Sequence, residues 1–372
     1  MVKLEGSKKA ERINSLSGIR FVFMVIIMLS HMEFLSDTCY GDQYNNYLHN
    51  ASIGVDFFFI LSGFMMCWNY EDRNIDATLK GSIMFWKKKI KKFYSIYVIS
   101  MAVCIPYNIV QMLEVNRSLP KICMIVLIRT IVCLPLTQSL FGVTALSHSF
   151  NGVCWFLSTT ALLYLATPIL LKAKKKIDSS LSRKIVALFF CILLIPVMYV
   201  AFQNIESRTA FDDLRYGTPY MRVLYYMVGM FLCDIFKKVK FKWVDEKNGR
   251  VASLIEGGAM LIIVFWWIIY NSIENRPIKV CINVVVLCAA ILVIGQEKGC
   301  ISKILGRKEI VELGNATFLM FMLHYPIRLY MNLMINDKWN SAELTVLAVA
   351  IMVVSVVISI VYYRKDCERK HR

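Results

Sequence analysis

The sequence predicts an all-α polytopic membrane protein with about ten transmembrane helices plus one re-entrant segment, and three observations carry that expectation. Hydrophobic residues make up 57% of the 372 and charged residues only 19%, with a mean hydropathy of +0.54. Apolar runs near twenty residues recur along the whole chain, the length needed to cross about 30 Å of hydrocarbon at roughly 1.5 Å per residue. The net charge of +17 gathers in short loops between those runs. That is the positive-inside pattern, and it requires no nucleic-acid partner. A soluble globule of this length is excluded.

In chain order, Lys3, Lys8, Lys9 and Arg12 place the N-terminus in the cytosol. The apolar core after them resembles a signal peptide. No small-residue cleavage site follows, however, and His31 and Glu33 end the run, so it is the first span, reaching about Phe34. The loop to Ser52 holds Asp37 and Asp42 but no Lys or Arg, as an outside loop should. The second span, GVDFFFILSGFMMCWNY, carries Asp56 in its first turn. A loop containing FWKKKIKKFY, with five lysines between Lys87 and Lys92, precedes a third span from Phe93 to Leu113. The run 121–137 is short and broken by Arg129 and Pro135. Were it to cross, every later basic loop would lie outside. Read as re-entrant, it leaves the loops 172–184, 237–250 and 296–308 and the tail RKDCERKHR inside. The remaining spans fall near Gly152–Leu171, Lys184–Gln203, Tyr220–Phe236, Val251–Tyr270, Pro277–Gly295, Leu313–Ile335 and Ala342–Tyr363. The expected organisation is one membrane domain, 1–363, and a basic cytosolic tail, 364–372. The twelve cysteines show no C-x-x-C pair and sit mostly in apolar runs, so neither a disulfide framework nor a metal site is implied.

Within this frame the polar residues sort by depth. Arg20 and His31 are eleven positions apart, which puts them within about 20° on one helix stripe and about 16 Å apart. Ionisable groups in spans usually face a cavity, although a snorkelling arginine and a satisfied core histidine would read the same way. His31 and Asp56 share the outer depth. Trp155 begins the span Gly152–Leu171, Arg222 begins the span Tyr220–Phe236, and His324 lies at middle to outer depth. The chemistry implied is an imidazole oriented by a carboxylate, able to take a proton from a hydroxyl. A cation three turns below, with a lysine patch beyond, suits a donor with a thin arm and a polyphosphate head, such as a coenzyme A thioester. Each feature has a structural alternative: the lysine run is a topology signal, Asp56 pairs with a cation, and Trp155 is an interfacial anchor. Arg129 and Glu256 have no evident role.

These stretches resemble the acyltransferase-3 integral membrane proteins, which acylate surface glycans and related acceptors. SGIRFVFMVIIMLSH resembles the family's arginine–ten residues–histidine motif, and GVDFFFILSGF its second block through Asp56, Ser62 and Gly63. FWKKKIKKFYSIY is similar to its basic stretch, with Lys89 and Lys92 in place of arginines and Ser95 in place of a proline. WFLSTTALLYLATP keeps Trp155, Leu157, Ser158, Tyr164 and Pro168, with Thr160 and Ala161 where many members have a Glu pair. MRVLYYMVGM matches through Arg222 and Gly229, and LGNATFLMFMLHYPI through His324 and Pro326. Six blocks in order, from residue 17 to 327, make the resemblance specific.

The resemblance implies transfer of an acyl group, usually acetyl, from cytosolic acyl-CoA to a hydroxyl of an extracytoplasmic or lipid-linked saccharide, without a metal. Arg20, Lys89 and Lys92 would hold the donor. His31 would be general base or transient acyl carrier, and Asp56 would orient it. Trp155, Arg222 and His324 would line the acceptor or stabilise developing charge. The partners implied are acyl-CoA, the glycan acceptor and membrane lipids. The location implied is the plasma or inner membrane, with both termini cytosolic and no esterase-like domain after the last span. Two other readings stand beside it. A transporter or flippase of a lipid-linked glycan or small polar substrate predicts inverted repeats, of which none is visible. A structural or sensing protein predicts pairing among Arg20, Asp56 and Arg222 themselves.

Overall fold

The computed structural model describes residues 11–49, 52–177, 180–238, 249–336 and 338–371, with side chains to residue 369. Lys3, Lys8 and Lys9 and most of the loop 237–250 lie outside the described residues. The chain is all-α, and the described residues form thirteen principal helices: α1 (Asn14–Ser30), α2 (Ser52–Tyr70), α3 (Leu79–Ile90), α4 (Tyr94–Glu114), α5 (Leu119–Cys133), α6 (Trp155–Lys175), α7 (Leu181–Glu206), α8 (Pro219–Lys238), α9 (Gly249–Tyr270), α10 (Arg276–Ile294), α11 (Cys300–Leu305), α12 (Lys308–Asn332) and α13 (Ser341–His371). Short 3-10, π and single-turn α pieces connect them. Among the described residues, eight helices are long and apolar enough to cross a membrane, and α1 is a shorter apolar helix. With α1 and α8, these occupy the ten predicted span positions. The protein is an integral membrane protein of all-α architecture.

Two local expectations change, and the short run keeps its length. The first helix begins earlier and stops at Ser30, where the His31 N–H donates to the Met28 carbonyl and the Met32 N–H to that of Leu29. His31 therefore caps the helix rather than lying inside a span that reaches Phe34. The lysine-rich loop is itself the amphipathic helix α3, started by Thr78, whose side chain accepts the Gly81 N–H. Lysine favours helix, and Ser82, Phe85 and Ile90 give the segment a buried face. The run after Ser118 forms α5, whose 15 residues rise about 22 Å, short of the roughly 30 Å of hydrocarbon.

Helix pairs set the architecture. The centre is α2 against α8, running parallel, with α1 against α12, also parallel, beside them. Small residues make both contacts close. A Cβ on Gly63 would overlap the Tyr226 carbonyl oxygen, and one on Gly229 would overlap that of Ile60. Gly314 of α12 meets the Ser17 carbonyl of α1 in the same way. By contrast, α7 and α9 turn much of their apolar surface outward, as at Phe190, Leu193, Leu254 and Leu261. These faces suit lipid tails. Two ends of the bundle can then be told apart: a lysine end, with Lys89, Lys174 and Lys237, and a histidine end, with His31 and His324.

Glu256, which had no role in the sequence, has a structural one. Its buried carboxylate accepts the Gly299 and Ser302 N–H groups at 2.8 and 2.9 Å and so caps the start of α11 from another helix.

Replacing Gly63 or Gly229 by leucine is expected to force α2 from α8. Overpacking of a tight contact costs about 1–3 kcal/mol or more, so the measurable result is a lower Tm in nanodiscs and less folded protein at equal expression. A Gly257→Leu control, where no atom lies within 4 Å of the would-be Cβ, should leave Tm unchanged.

Candidate functional site

At the histidine end, two imidazoles meet. His31 Nδ1 lies 3.1 Å from His324 Nε2, and His324 Nδ1 lies 3.0 Å from the Met320 carbonyl oxygen. A carbonyl only accepts, so His324 carries its proton on Nδ1 and presents a lone pair at Nε2. His31 then donates from Nδ1, which leaves its own Nε2 unprotonated. The chain of bonds fixes one tautomer through both rings. His324 is fully buried, whereas His31 is partly exposed. The Tyr325 ring stands edge-on to His31 at 6.0 Å, and Arg328 over Tyr325 is bonded to Glu33 at 3.2 Å. Parallel packing of α1 on α12 carries the pair: residues 17 and 314 touch at one end, 31 and 324 at the other.

Asp56 does not take the place expected for it beside His31. Its carboxylate is filled by Arg222 Nη1 at 2.5 Å and Asn283 Nδ2 at 2.7 Å. Asn283 in turn accepts the Trp266 indole N–H at 3.1 Å, and Arg222 Nε donates to the Tyr216 carbonyl at 2.7 Å. The rings of Phe59, Trp155, Tyr216 and Tyr225 surround the guanidinium at 5.0–5.8 Å. Both charges are buried, a placement that survives only because each is paired and hydrogen-bonded. The partners are thus exchanged relative to the sequence reading: His31 is oriented by His324, and Asp56 holds Arg222. The Asp56–Arg222 pair is one that the structural or sensing reading expected. Trp155 packs on Arg222 and Tyr216 rather than serving as a lone interfacial anchor.

At the lysine end, Arg20 has no hydrogen-bond or ion-pair partner among the described residues, and it lies near Tyr164. Lys89 points to the same tyrosine: its Nζ lies 5.7 Å from the Tyr164 ring and 4.1 Å from that of Tyr70. Burial, reinforced by Lys92, Lys88 and Arg73, pushes the Lys89 ammonium down to about 7. Lys92, one turn on, is exposed. Arg20 and Lys89 therefore converge from two helices, with Lys92 at the rim.

Next to them, Lys174 Nζ is held 2.6 Å from Glu71, 2.6 Å from Asp234 and 3.0 Å from Cys67 Sγ. Cys67, Glu71 and Asp234 have a metal-like spacing. Here the lysine ammonium occupies its centre, and Lys184 and Lys237 add further charge to the carboxylates.

Sequence reasoning missed His148. It lies in the irregular stretch between α5 and α6, its ring 6.2 Å from Trp155, with a buried Nδ1 that has no hydrogen-bond partner. No spacing or periodicity marks it. Asn283 was equally hidden, one amide inside an apolar run.

Over residues 13–364 the chain matches the family Acyl_transf_3, described as "Acyltransferase domain". It is also similar to "Acyltransferase MdmB" of Streptomyces mycarofaciens, 21% identical over 364 residues, covering 93% of this chain and 88% of the relative. No solved structure matches.

Breaking the Asp56–Arg222 pair from one side should be worse than removing it whole. Asp56→Leu alone strands a buried guanidinium, at a cost of about 3–5 kcal/mol. Asp56→Leu with Arg222→Met should recover much of that. The check is a double-mutant cycle on thermal unfolding in nanodiscs. Additive losses would show that the two side chains do not interact.

Proposed function

The chain belongs to this acyltransferase family, and from that premise we propose that it moves an acyl group, usually acetyl, from cytosolic acyl-CoA to a hydroxyl of a saccharide or lipid-linked glycan across the membrane. The observation that carries the proposal is the His31–His324 pair. An imidazole with a fixed donor on one nitrogen and a lone pair on the other is what general-base catalysis needs.

His31 Nε2 takes the proton of the acceptor hydroxyl. The oxygen attacks the thioester carbonyl, the C–S bond breaks, and the proton passes to the departing thiolate. The imidazolium formed on the way stays bonded to the His324 lone pair. His324 is thereby a positioning residue. The same free Nε2 would serve as a transient acyl carrier.

Donor binding falls to Arg20, Lys89 and Lys92. Arg20 has no counterion among the described residues, so a phosphate of the donor can supply one. About 16 Å of helix separates it from His31, a span for the extended pantetheine arm. In this reading the lysine end is cytosolic, with both termini on that side of a plasma or inner membrane, residues 1–363 forming the membrane domain and 364–372 its basic tail. No step requires a metal. Asp56, Arg222 and Trp155 shape the acceptor side without touching the proton in flight.

The central test is label incorporation from acetyl-CoA in membranes at matched expression. His31→Ala should lower transfer roughly 10²–10⁴-fold, while Arg20→Ala raises the acetyl-CoA requirement. Wild-type behaviour in both variants sinks the mechanism. His324→Phe should lower kcat and change its pH profile, with little effect on the KM for acetyl-CoA. An unchanged pH profile would argue that His324 only packs.

Lys89 predicts a further pH dependence. Its amine is neutral above about 7 in the unliganded protein, and a polyphosphate favours the charged form. Donor affinity should therefore be full below about 7 and fall as pH rises through it, with proton uptake on binding. Lys89→Arg, permanently charged, should flatten that slope in isothermal titrations with coenzyme A in two buffers of different ionisation heat.

A further inference from the structure

A cavity of about 560 Å³ opens between α2, α7, α8, α9 and α10 on the histidine side. Its floor is the Asp56–Arg222 pair. Its walls carry Tyr199, Tyr216, Tyr225 and Tyr270. Its mouth carries Arg276 and Lys279 in the first turns of α10.

The charges in this cavity do not balance locally. Arg215 is tied to Glu206 and lies over the Tyr199 ring at 5.1 Å, and Arg222 is tied to Asp56. The third carboxylate, Asp212, accepts the Thr144 N–H at 2.7 Å. Arg276 and Lys279 have no ion-pair partner among the described residues. Lys279 Nζ rests 4.8 Å from the Tyr270 ring centre.

Two general rules work against cations here. The N-terminus of a helix carries partial positive charge and favours anions. Positive-inside topology would gather basic residues at the other, lysine-rich end. With Asp212 the lining still carries four cations against three carboxylates, and topology does not account for the two cations. A negatively charged ligand does, and the tyrosines supply flat faces with hydroxyl edges on which a sugar ring can lie.

We infer that this cavity recognises an acidic acceptor, a saccharide whose phosphate or carboxylate group sits between Arg276 and Lys279 while its rings lie along the tyrosines. The inference rests on the acyl-transfer reading for the word acceptor alone. The binding it describes is measured without transfer.

The test uses the full chain in phosphatidylcholine nanodiscs and follows modification of Lys279 by an amine-acylating reagent, read by mass spectrometry. The additives are glucose 1-phosphate, glucuronate and glucose, with an unchanged Tm in the same nanodiscs as the check of a folded protein. At about ten times Kd, occupancy slows labelling roughly tenfold. The expected result is protection by the two anionic sugars and none by glucose, lost in Arg276→Gln and kept in His31→Ala. Equal protection by all three sugars, protection by none, or protection that survives Arg276→Gln overturns the inference. So does Lys279 protection by phosphatidylglycerol nanodiscs without sugar, which would make the cavity a headgroup site. Loss of transfer in His31→Ala bears on the function alone, so the two failures are distinguishable.

Discussion

The buried ion pair between Asp56 and Arg222 is the constraint around which the rest of the bundle is arranged. Two opposite charges taken out of water are stable only in nearly perfect geometry, with every remaining donor and acceptor satisfied. Meeting that condition recruits Asn283, Trp266 and the Tyr216 carbonyl, so five elements are tied to one carboxylate. The glycine contacts at Gly63 and Gly229 bring α2 and α8 close enough for the pair to form. Charge and close approach are two statements of the same requirement.

That core leaves α1 and α12 free to do something else. Their own close contact, at Ser17 and Gly314, holds the two helices side by side, and their far ends deliver His31 and His324 to each other. The lysine end is organised by a different logic. There Lys174 is surrounded by carboxylates and a thiol, and Lys237 shares Glu71. Among the described residues no carboxylate pairs with Arg20 or Lys89.

Much of this was legible in the sequence, and what was not has physical reasons. The helical class, the order of the spans and the short, broken segment at 121–137 follow from hydropathy and charge, which act along the chain. Arg20 and His31 were visible because eleven residues is a near-integral number of turns. The choice of partners was not visible. Asp56 was expected beside His31 from shared depth and from the resemblance, but depth says nothing of which face a helix turns to which neighbour, and that is decided by the glycines of α2 and α8. His324 was read as an acceptor-side residue because nothing in the chain records that α1 and α12 are neighbours. His148 and Asn283 are single polar residues without a period. The helix through the lysines was masked by their charge, which speaks for topology before it speaks for propensity.

The clamp at Ser17 and Gly314 has a consequence for which thioesters are usable. A rigid pair of rods, pinned at one end and carrying the imidazoles at the other, is a gauge block. Under the proposed chemistry it measures length rather than shape. A thioester with a full pantetheine arm reaches the far imidazole with its head still anchored, whereas a truncated one can satisfy the anchor or the imidazole but not both. Discrimination among donors would then come from reach, leaving the acyl group itself comparatively unscreened.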